Sequence, residues 1–470
     1  MPTGFCKVNL NQSISDEDIE SNFADLHHPF NLMQAKAEAA RCLYCYDAPC
    51  INACPTSIDV PTFIHQINSE NLIGSAKTIL SQNIMGGTCA RACPTEILCE
   101  QACVLNASQQ EPVSIGSLQR FAVDHLIENS KTHPFARAAL SGKKIAVIGA
   151  GPAGLSCAHR AAMLGHDVTV FEAKDKPGGL NEYGLAAYKM VDDFAQKEID
   201  FLLQIGGIKI EYGQVFNQNL FLTDLKEKFD ATFIAVGLSK VNQLEVDGKA
   251  KIKVIDAIEF IEQIRQSEKK SSVKVGNDVI VIGAGNTAID AAIQSKRLGA
   301  RNVTLVYRRG EESMSATEWE VDLARRNEIK LVFWAAPKKL IADSVTTKVE
   351  FEKMQRVDNQ LKSSGESIFL PADMLLSAIG QKFDLELLQS NNSPRESKST
   401  EVIQSEKGKV KISEKFETSV EGVFAGGDCV TSGEDLTVQA VQDGKLAAHE
   451  IDQYLLKTAS SLSAQLRTKV

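Results

Sequence analysis

Eight of the eleven cysteines lie close together near the start of the chain, where they could ligate metal. Thiolates this dense, in a chain that begins without an export signal, are typical of metal ligands, because a reducing compartment prevents structural disulfides. Eight thiolates would complete two four-cysteine sites for zinc or for iron–sulfur clusters. The Cys-Pro pairs at Cys54 and Cys93 favour iron–sulfur, since in ferredoxin-like runs the cysteine before proline often ligates the other cluster. The two groups are Cys42, Cys45, Cys50 and Cys54, then Cys89, Cys93, Cys99 and Cys103.

A glycine-rich turn that opens at Gly149 predicts a first dinucleotide site. The stretch Gly149-Ala-Gly-Pro-Ala-Gly154 follows the apolar strand 145–148 and opens a helix. The glycines permit a tight turn and close backbone approach, and the helix N-terminus offers N–H groups to a pyrophosphate. The next strand, 167–171, ends at Glu172, whose carboxylate is placed to accept a hydrogen bond from a ribose 2′-hydroxyl. Strand, turn, helix, second strand and acid therefore occur in the order of a nucleotide site.

A second turn of the same kind begins at Gly283. The stretch Gly283-Ala-Gly-Asn-Thr-Ala288 follows the strand 279–282, and the next strand ends in Arg308 and Arg309 instead of an acid. An acid would repel a 2′-phosphate, whereas arginine pairs with one. This chemistry assigns FAD to the first turn and NADP or NAD to the second, with NADP favoured. The alternative is that the two arginines are only a solvated strand end.

Other glycine-rich segments fit a plan with two dinucleotides. Pro177-Gly-Gly-Leu180 follows Glu172 closely, as a loop that admits a flavin near the backbone would. Near the C-terminus, Asp428 follows Gly427 and could accept a hydrogen bond from a ribityl hydroxyl. The helix that begins at Thr437 would direct its N-terminus at the flavin. The apolar segments 230–237 and 373–380 both end in glycine and could close the two nucleotide domains.

Length, net charge and hydropathy limit the number of domains and the kinds of partner that this chain can have. A chain of 470 residues exceeds a single core and should divide into two to four domains. A net charge of −9 argues against nucleic-acid binding, and no apolar run is long enough to cross a bilayer, so we expect no nucleic-acid or membrane partner. The N-terminus predicts a cytoplasmic protein. We predict an α/β fold with an α-helical iron–sulfur domain over 1–140, a discontinuous FAD-binding domain over 141–270 and 382–470, and an NAD(P)-binding domain over 271–381.

The paired turns and the Gly179 and Gly427 segments resemble flavin-dependent NAD(P)H oxidoreductases of the glutamate synthase small-subunit type. With the cysteines, residues 33–455 resemble a narrower group, the N-terminal half of dihydropyrimidine dehydrogenase and its bacterial flavin subunit. The stretches that carry this resemblance are Arg41-Cys-Leu-Tyr-Cys-Tyr-Asp-Ala-Pro-Cys50, Cys54-Pro-Thr-Ser-Ile-Asp59 and Pro112-Val-Ser-Ile-Gly-Ser-Leu-Gln-Arg-Phe-Ala122. The resemblance implies two Rossmann-like domains of a disulfide-reductase-type flavoprotein, preceded by a helical domain with two 4Fe–4S clusters.

The resemblance also implies a set of site residues that differs from the simple cysteine count. It places the first 4Fe–4S cluster on Cys42, Cys45, Cys50 and Cys103. The second cluster would be held by Cys54, Cys93, Cys99 and the side-chain oxygen of Gln119, which leaves Cys89 as a spare buried thiol. The expected FAD contacts are Gly149, Gly151, Pro152, Ala153, Gly154, Glu172, Gly179, Leu180, Lys189, Val215, Gly427, Asp428 and Thr437. The expected NAD(P) contacts are Gly283, Gly285, Asn286, Thr287, Ala288, Arg308, Arg309, Ala378 and Gly380.

The function implied by the resemblance is electron input. NAD(P)H would be oxidised at FAD, and the two 4Fe–4S clusters would pass the electrons to a partner that reduces uracil or thymine. The three predicted domains leave no room for the barrel of about 250 residues on which that chemistry takes place. The expected partner is therefore an FMN and iron–sulfur catalytic subunit in a heteromeric complex. We expect no acid–base catalytic residue in this chain.

Three other functions compete with this one. A glutamate synthase small subunit would share the fold and cofactors, but Gln119 and the sequence Asp47-Ala-Pro-Cys50 argue against this function. A thioredoxin-reductase-like enzyme would need a redox-active C-x-x-C in the nicotinamide domain, and no cysteine lies between Cys157 and Cys429. A zinc-stapled docking module would contain zinc and no iron.

Overall fold

The structure is a computed structural model that describes residues 14–130, 132–248, 252–342, 347–388 and 402–467. It divides into two compact units, which we name after their glycine turns. The Gly149 unit comprises Pro29–Glu182, Asp193–Lys240 and Lys382–Val470, and the Gly283 unit comprises Met1–His28, Tyr183–Asp192 and Val241–Gln381. The units do not coincide with the predicted domains. Of the described residues, 29–130 and 132–140 belong with the FAD-type sheet, whereas 14–28, 183–192, 241–248 and 252–270 belong with the Gly283 unit.

A five-stranded parallel sheet forms the centre of the Gly149 unit. Its spatial order is Val423–Ala425, Ala231–Ile234, Lys144–Ile148, Asp167–Phe171 and Ile208–Glu211. Of the three inner strands, Ala231–Ile234 and Lys144–Ile148 are apolar almost throughout and buried, as expected when helices cover both faces of a parallel sheet. The covering helices are Pro152–Met163, Phe194–Leu203, Leu222–Lys228 and the C-terminal helix Thr437–Arg467.

The cysteine-rich part of the Gly149 unit is helical. Side chains of Asn31, Asp59 and Asn71 accept backbone N–H bonds and start three of its helices. Its helices share one hydrophobic core with the parallel sheet, since Phe63, Leu118 and Phe424 belong to the same buried cluster. This common core explains why the predicted iron–sulfur and FAD domains form one compact unit. The helices are Leu32–Ala39, Pro49–Asn52, Val60–Asn68, Leu72–Gln82, Gly86–Ala92 and Ile115–Asn129, with 3₁₀ turns at Thr95–Ile97 and Val104–Ser108.

The Gly283 unit repeats the parallel architecture. Its five strands lie in the order Lys253–Asp256, Met374–Ser377, Asp278–Ile282, Asn302–Val306 and Lys330–Val332. A separate antiparallel sheet consists of Ala335–Ala342, Thr347–Val357 and Gln360–Pro371. The helices are Asp16–Asn22, Ala257–Gln266, Asn286–Arg297 and Glu318–Arg326, with 3₁₀ turns at Lys270–Ser272 and Glu311–Ser313.

Several short elements lie at the boundaries between the units and within the Gly149 unit. The chain passes between the units through the short helix Leu180–Tyr183 and the two-residue strands Lys240–Val241 and Gln381–Lys382. A 3₁₀ turn at Leu385–Leu388 and the strand pair Ser405–Glu406 and Lys409–Val410 lie in the Gly149 unit. Within the described ranges, every helix is too short or too polar to cross a membrane.

Candidate functional site: two dinucleotide turns and a cysteine-rich centre

The Gly149 turn has the geometry that a bound pyrophosphate requires. Gly149 has a φ of +101°, and a Cβ there would overlap the carbonyl of Ala235. A Cβ on Gly154 would overlap the carbonyl of Gly149, so glycine is needed at both ends of the turn. The helix Pro152–Met163 begins at Gly151 without a side-chain cap, which leaves its first N–H groups available to an anion.

The other predicted flavin residues of the Gly149 unit converge on this turn. A Cβ on Gly179 would lie 2.9 Å from the Cα of Gly151, so the two glycine loops are in contact. Glu172 accepts a hydrogen bond from the backbone N–H of Ala150 at 2.7 Å. Val215 follows Gln214, whose backbone N–H bonds the Glu172 carbonyl. The structure therefore gathers the loops that carry Gly151, Glu172, Gly179, Leu180 and Val215 at one edge of the sheet.

The C-terminal segment completes the same edge. A Cβ on Gly427 would lie 2.9 Å from the Cβ of Ala153. Burial, together with repulsion from Asp435 and Asp443, raises the pKa of the neighbouring Asp428 to about 7. The hydroxyl of Thr437, at the start of the C-terminal helix, donates to Asn181 at 2.8 Å. Asn181 follows Leu180, so the helix N-terminus lies beside the second glycine loop.

Lys189 is the one predicted flavin contact that lies in the Gly283 unit. Its ammonium is 2.8 Å from an Asp290 carboxylate oxygen and also contacts Glu320. The three side chains are buried. The neighbouring Tyr188 hydroxyl donates to Asp290 at 2.8 Å. The charge of Lys189 is thus compensated inside the Gly283 unit, by acids that sequence reasoning did not connect with it.

The Gly283 turn has the same features as the Gly149 turn. Gly283 has a φ of +143°, and a Cβ there would overlap the carbonyl of Ala378. Ala378 donates its N–H to Ile282 at 2.8 Å, which joins the two strand ends. The helix that carries Asn286, Thr287 and Ala288 begins at Gly285 without a side-chain cap. Gly380, two residues after Ala378, has a φ of +95° and ends the neighbouring segment.

Arg308 and Arg309 follow the strand Asn302–Val306, separated from it by Tyr307. Both residues are exposed. They lie at the carboxyl end of the strand Asn302–Val306, the same edge at which the Gly283 turn opens. Their guanidinium groups are accessible to an anionic ligand at this edge.

Four cysteines line one small cavity in the cysteine-rich helices. They are Cys42, Cys45, Cys50 and Cys103, surrounded by apolar side chains that include Val60, Ile64 and Ile115. Burial raises the pKa of the Cys50 thiol to about 11, and nearby Cys42, Cys103 and Cys45 contribute by mutual repulsion. This set contains the three early cysteines together with the last cysteine of the second group, as the family resemblance implies. Four thiols around an otherwise apolar cavity suit a 4Fe–4S cluster.

A second group of cysteines lies beside the first. Cys54, Cys93 and Cys99 interact electrostatically, and burial raises the pKa of the Cys99 thiol. Cys89 is also in this group, because a hydrogen bond with Cys89 raises the pKa of Cys93. The structure therefore brings the three predicted cysteine ligands together and places the predicted spare thiol next to them.

Gln119, the predicted fourth ligand, is buried on the helix Ile115–Asn129. Its amide nitrogen donates to the Gly86 carbonyl at 2.6 Å. Gly86 begins the helix that carries Cys89 and leads into Cys93. Because the nitrogen is used in this bond, the amide oxygen is the atom left to ligate a metal.

Two buried acids support these sites and were missed by sequence reasoning. Glu198 accepts backbone N–H bonds from Gly87 at 2.7 Å and from Thr88 at 3.1 Å, and so caps the helix that leads to Cys93. Burial raises the pKa of Glu198 to about 7. Asp443 accepts the N–H of Gly427 at 2.9 Å. Glu198 lies 111 residues after Gly87 in the sequence, and Asp443 lies 16 residues after Gly427. No local motif marks either acid.

Two family models match the chain. The model for pyridine nucleotide-disulphide oxidoreductases covers residues 143–444. The model for dihydropyrimidine dehydrogenase domain II, 4Fe-4S cluster, covers residues 19–131. They agree with the predicted order, in which an iron–sulfur segment precedes a two-dinucleotide flavoprotein.

Solved structures share the fold. The chain resembles Mycobacterium tuberculosis FprA in complex with NADPH with a TM-score of 0.54 and 16% identity, over 68% of this chain and 86% of FprA. It resembles Lactococcus lactis thioredoxin reductase with a TM-score of 0.52 and 20% identity, over 67% of this chain and 99% of that enzyme. These likenesses confirm the predicted fold class.

Curated relatives match over nearly the whole chain. The NAD-dependent dihydropyrimidine dehydrogenase subunit PreT of Escherichia coli K12 is 31% identical over 93% of this chain and 98% of its own length. The PreT subunit of Salmonella typhimurium is 30% identical over 94% of this chain and 99% of its own. The predicted resemblance is thereby confirmed. The chain belongs to the pyridine nucleotide-disulphide oxidoreductases and, among them, to the family of iron–sulfur dihydropyrimidine dehydrogenase subunits represented by PreT.

Proposed function

We propose that this chain is the electron-input subunit of a heteromeric dihydropyrimidine dehydrogenase. It would oxidise NAD(P)H and deliver electrons to a partner subunit that carries FMN and iron–sulfur clusters and reduces uracil or thymine. The observation that carries this proposal is the shared core of the Gly149 unit. That unit contains both the flavin-type turn and the two groups of cysteines, so the groups that would exchange electrons belong to one compact unit.

The residues of the chain bind and orient the cofactors. The Gly149 turn and the uncapped helix N-terminus would hold the FAD pyrophosphate, with Glu172 at the ribose and Asp428 at the ribityl chain. Cys42, Cys45, Cys50 and Cys103 would hold one cluster, and Cys54, Cys93, Cys99 and Gln119 the other. Bound FAD would supply the exchange between a two-electron hydride and the single electrons that iron–sulfur clusters carry.

The Gly283 turn would bind the nicotinamide dinucleotide. The relatives are named NAD-dependent, which supports use of NADH. The exposed pair Arg308 and Arg309 supports binding of NADPH as well, because a guanidinium forms charge-assisted bonds with a 2′-phosphate.

Replacing both arginines, Arg308→Ala with Arg309→Ala, should raise the KM for NADPH by about tenfold or more, since a hydrogen bond to a charged group contributes about 1.5–3 kcal/mol. The KM for NADH should change by less than about twofold, because NADH has no 2′-phosphate. Steady-state reduction of an artificial acceptor by each nucleotide measures both values. The matched control is Arg301→Ala with Arg326→Ala, which removes the same charge from exposed positions of the same unit. An equal loss with both nucleotides would contradict the assignment.

The acceptor is tested by anaerobic co-purification of the chain with its partner subunit. NADH and NADPH oxidation by the complex is then followed with uracil, or with 2-oxoglutarate plus glutamine. We expect oxidation that depends on uracil and produces dihydrouracil. Oxidation that depends instead on 2-oxoglutarate would identify the chain as a glutamate synthase small subunit and would contradict the pyrimidine assignment.

A further inference from the structure

The C-terminal helix of the Gly149 unit carries a buried cation, Lys445, that is held by neutral groups. Its ammonium donates to the carbonyl of Thr56 at 3.1 Å, to the carbonyl of Gln82 at 3.0 Å and to the side-chain oxygen of Gln82 at 3.1 Å. The residue is only 9% exposed. Among the residues that the structure describes, no carboxylate forms an ion pair with it. A buried ammonium without a counter-charge costs several kcal/mol, so this arrangement calls for a negative group nearby.

The position of Lys445 indicates where that negative group lies. Its acceptor Thr56 follows Cys54 by two residues, and the Thr56 hydroxyl is 3.3 Å from the Cys54 sulfur. Burial and nearby Arg160 lower the pKa of Lys445 to about 8, whereas Cys54 acts in the opposite direction. Three thiolates and a neutral amide would leave the second cluster with a net negative charge, and reduction would add one further negative charge.

Close packing fixes the position of the helix that carries Lys445. Gly444 packs against the helix Pro152–Met163 so closely that a Cβ on Gly444 would overlap the carbonyl of Ala153. The same helix begins at Thr437, beside the loop that carries Leu180. Thr437 and Lys445 are separated by about 12 Å along the helix axis, at about 1.5 Å per residue. One rigid element therefore contacts both the predicted flavin edge and the turn after Cys54.

We propose that Lys445 is a positioning residue for the second cluster, which holds the turn after Cys54 and favours the reduced cluster by its charge. The inference rests on the proposed ligand set, Cys54, Cys93, Cys99 and Gln119. Lys445 acts through the turn and through its electric field and takes no part in ligation. A buried ammonium beside the turn after Cys54 interacts more favourably with the reduced cluster than with the oxidised one, because the reduced cluster is more negative. Lys445 therefore makes the second cluster a better electron acceptor than the same cluster would be without this charge.

The test compares Lys445→Met, Lys445→Arg and the control Lys457→Met, which removes an exposed lysine from the same helix. Iron, sulfide and FAD contents are measured first, and both clusters are then titrated anaerobically with detection by electron paramagnetic resonance. In Lys445→Met, the ratio of reduced to oxidised cluster at a fixed potential should fall about tenfold for one cluster, equivalent to 59 mV for a one-electron couple. The other cluster should be unchanged. Lys445→Arg and Lys457→Met should titrate like the wild type.

Two outcomes would overturn the inference: unchanged potentials in Lys445→Met with both clusters present, or equal shifts in Lys445→Met and Lys445→Arg. If Lys445→Met does not retain its clusters, Lys445→Gln takes its place, because glutamine still donates a hydrogen bond without a charge. A Lys445→Gln protein with the wild-type potential would then overturn the inference. A wild type without iron–sulfur signals would contradict the proposed ligand set itself. Two normal clusters with unshifted variants would contradict the role of Lys445 alone.

Discussion

Replacing Cys103 by serine should remove one of the two clusters and stop electron delivery to the partner subunit. Cys103 lines the same cavity as Cys42, Cys45 and Cys50, and serine is a much poorer ligand for iron than a thiolate. Iron and sulfide per chain should fall by half. Uracil reduction by the complex should fall by about two orders of magnitude or more, since a broken electron path cannot be replaced by protein groups. Reduction of an artificial dye at the flavin should persist.

The matched control for Cys103 is Cys89→Ser in the neighbouring group. Cys89 is buried and contacts Cys93, but the proposed ligand set leaves it unligated. Cys89→Ser should keep both clusters and nearly the full rate of uracil reduction. Loss of a cluster in Cys89→Ser, together with retention of both in Gln119→Ala, would instead favour a second cluster with four cysteine ligands.

Alanine at Gly149 should greatly weaken FAD binding. The added methyl would overlap the Ala235 carbonyl, and a φ of +101° is strained for any residue with a Cβ. The turn must then shift away from the position in which its backbone can approach a pyrophosphate. A loss of about 3 kcal/mol corresponds to about a hundredfold rise in the Kd for FAD. Flavin fluorescence after gel filtration and titration of the apoprotein with FAD measure this loss.

Gly206→Ala separates crowding from backbone strain. Gly206 also has a positive φ, +77°, but a Cβ there would meet nothing within 4 Å. Its alanine variant should lower the melting temperature slightly and bind FAD like the wild type. Equal FAD affinities in Gly149→Ala and wild type would contradict the assignment of the Gly149 turn to the flavin. Gly283→Ala should retain FAD and lose nucleotide-dependent reduction, because its turn lies in the other unit.

The sequence by itself determined the local parts of this protein. Apolar strands followed by glycine turns and helices occur where they were predicted, at Lys144–Ile148 with Gly149 and at Asp278–Ile282 with Gly283. These signals are short-range, because a turn that demands positive φ and a helix start that binds phosphate both involve adjacent residues. The density of the cysteines predicted iron–sulfur ligation, and the matched family model names a 4Fe-4S cluster in the same segment.

Tertiary structure decided which of these parts belong together. A common core joins the cysteine-rich helices to the flavin-type sheet in one unit. Lys189 lies in the Gly283 unit, paired with Asp290 and Glu320, and Cys103 joins the early cysteines across more than fifty residues. Lys445 reaches Thr56 across 389 residues of sequence. Such contacts depend on how helices pack, which hydrophobic burial dictates over the whole unit and which leaves no periodic trace near either residue.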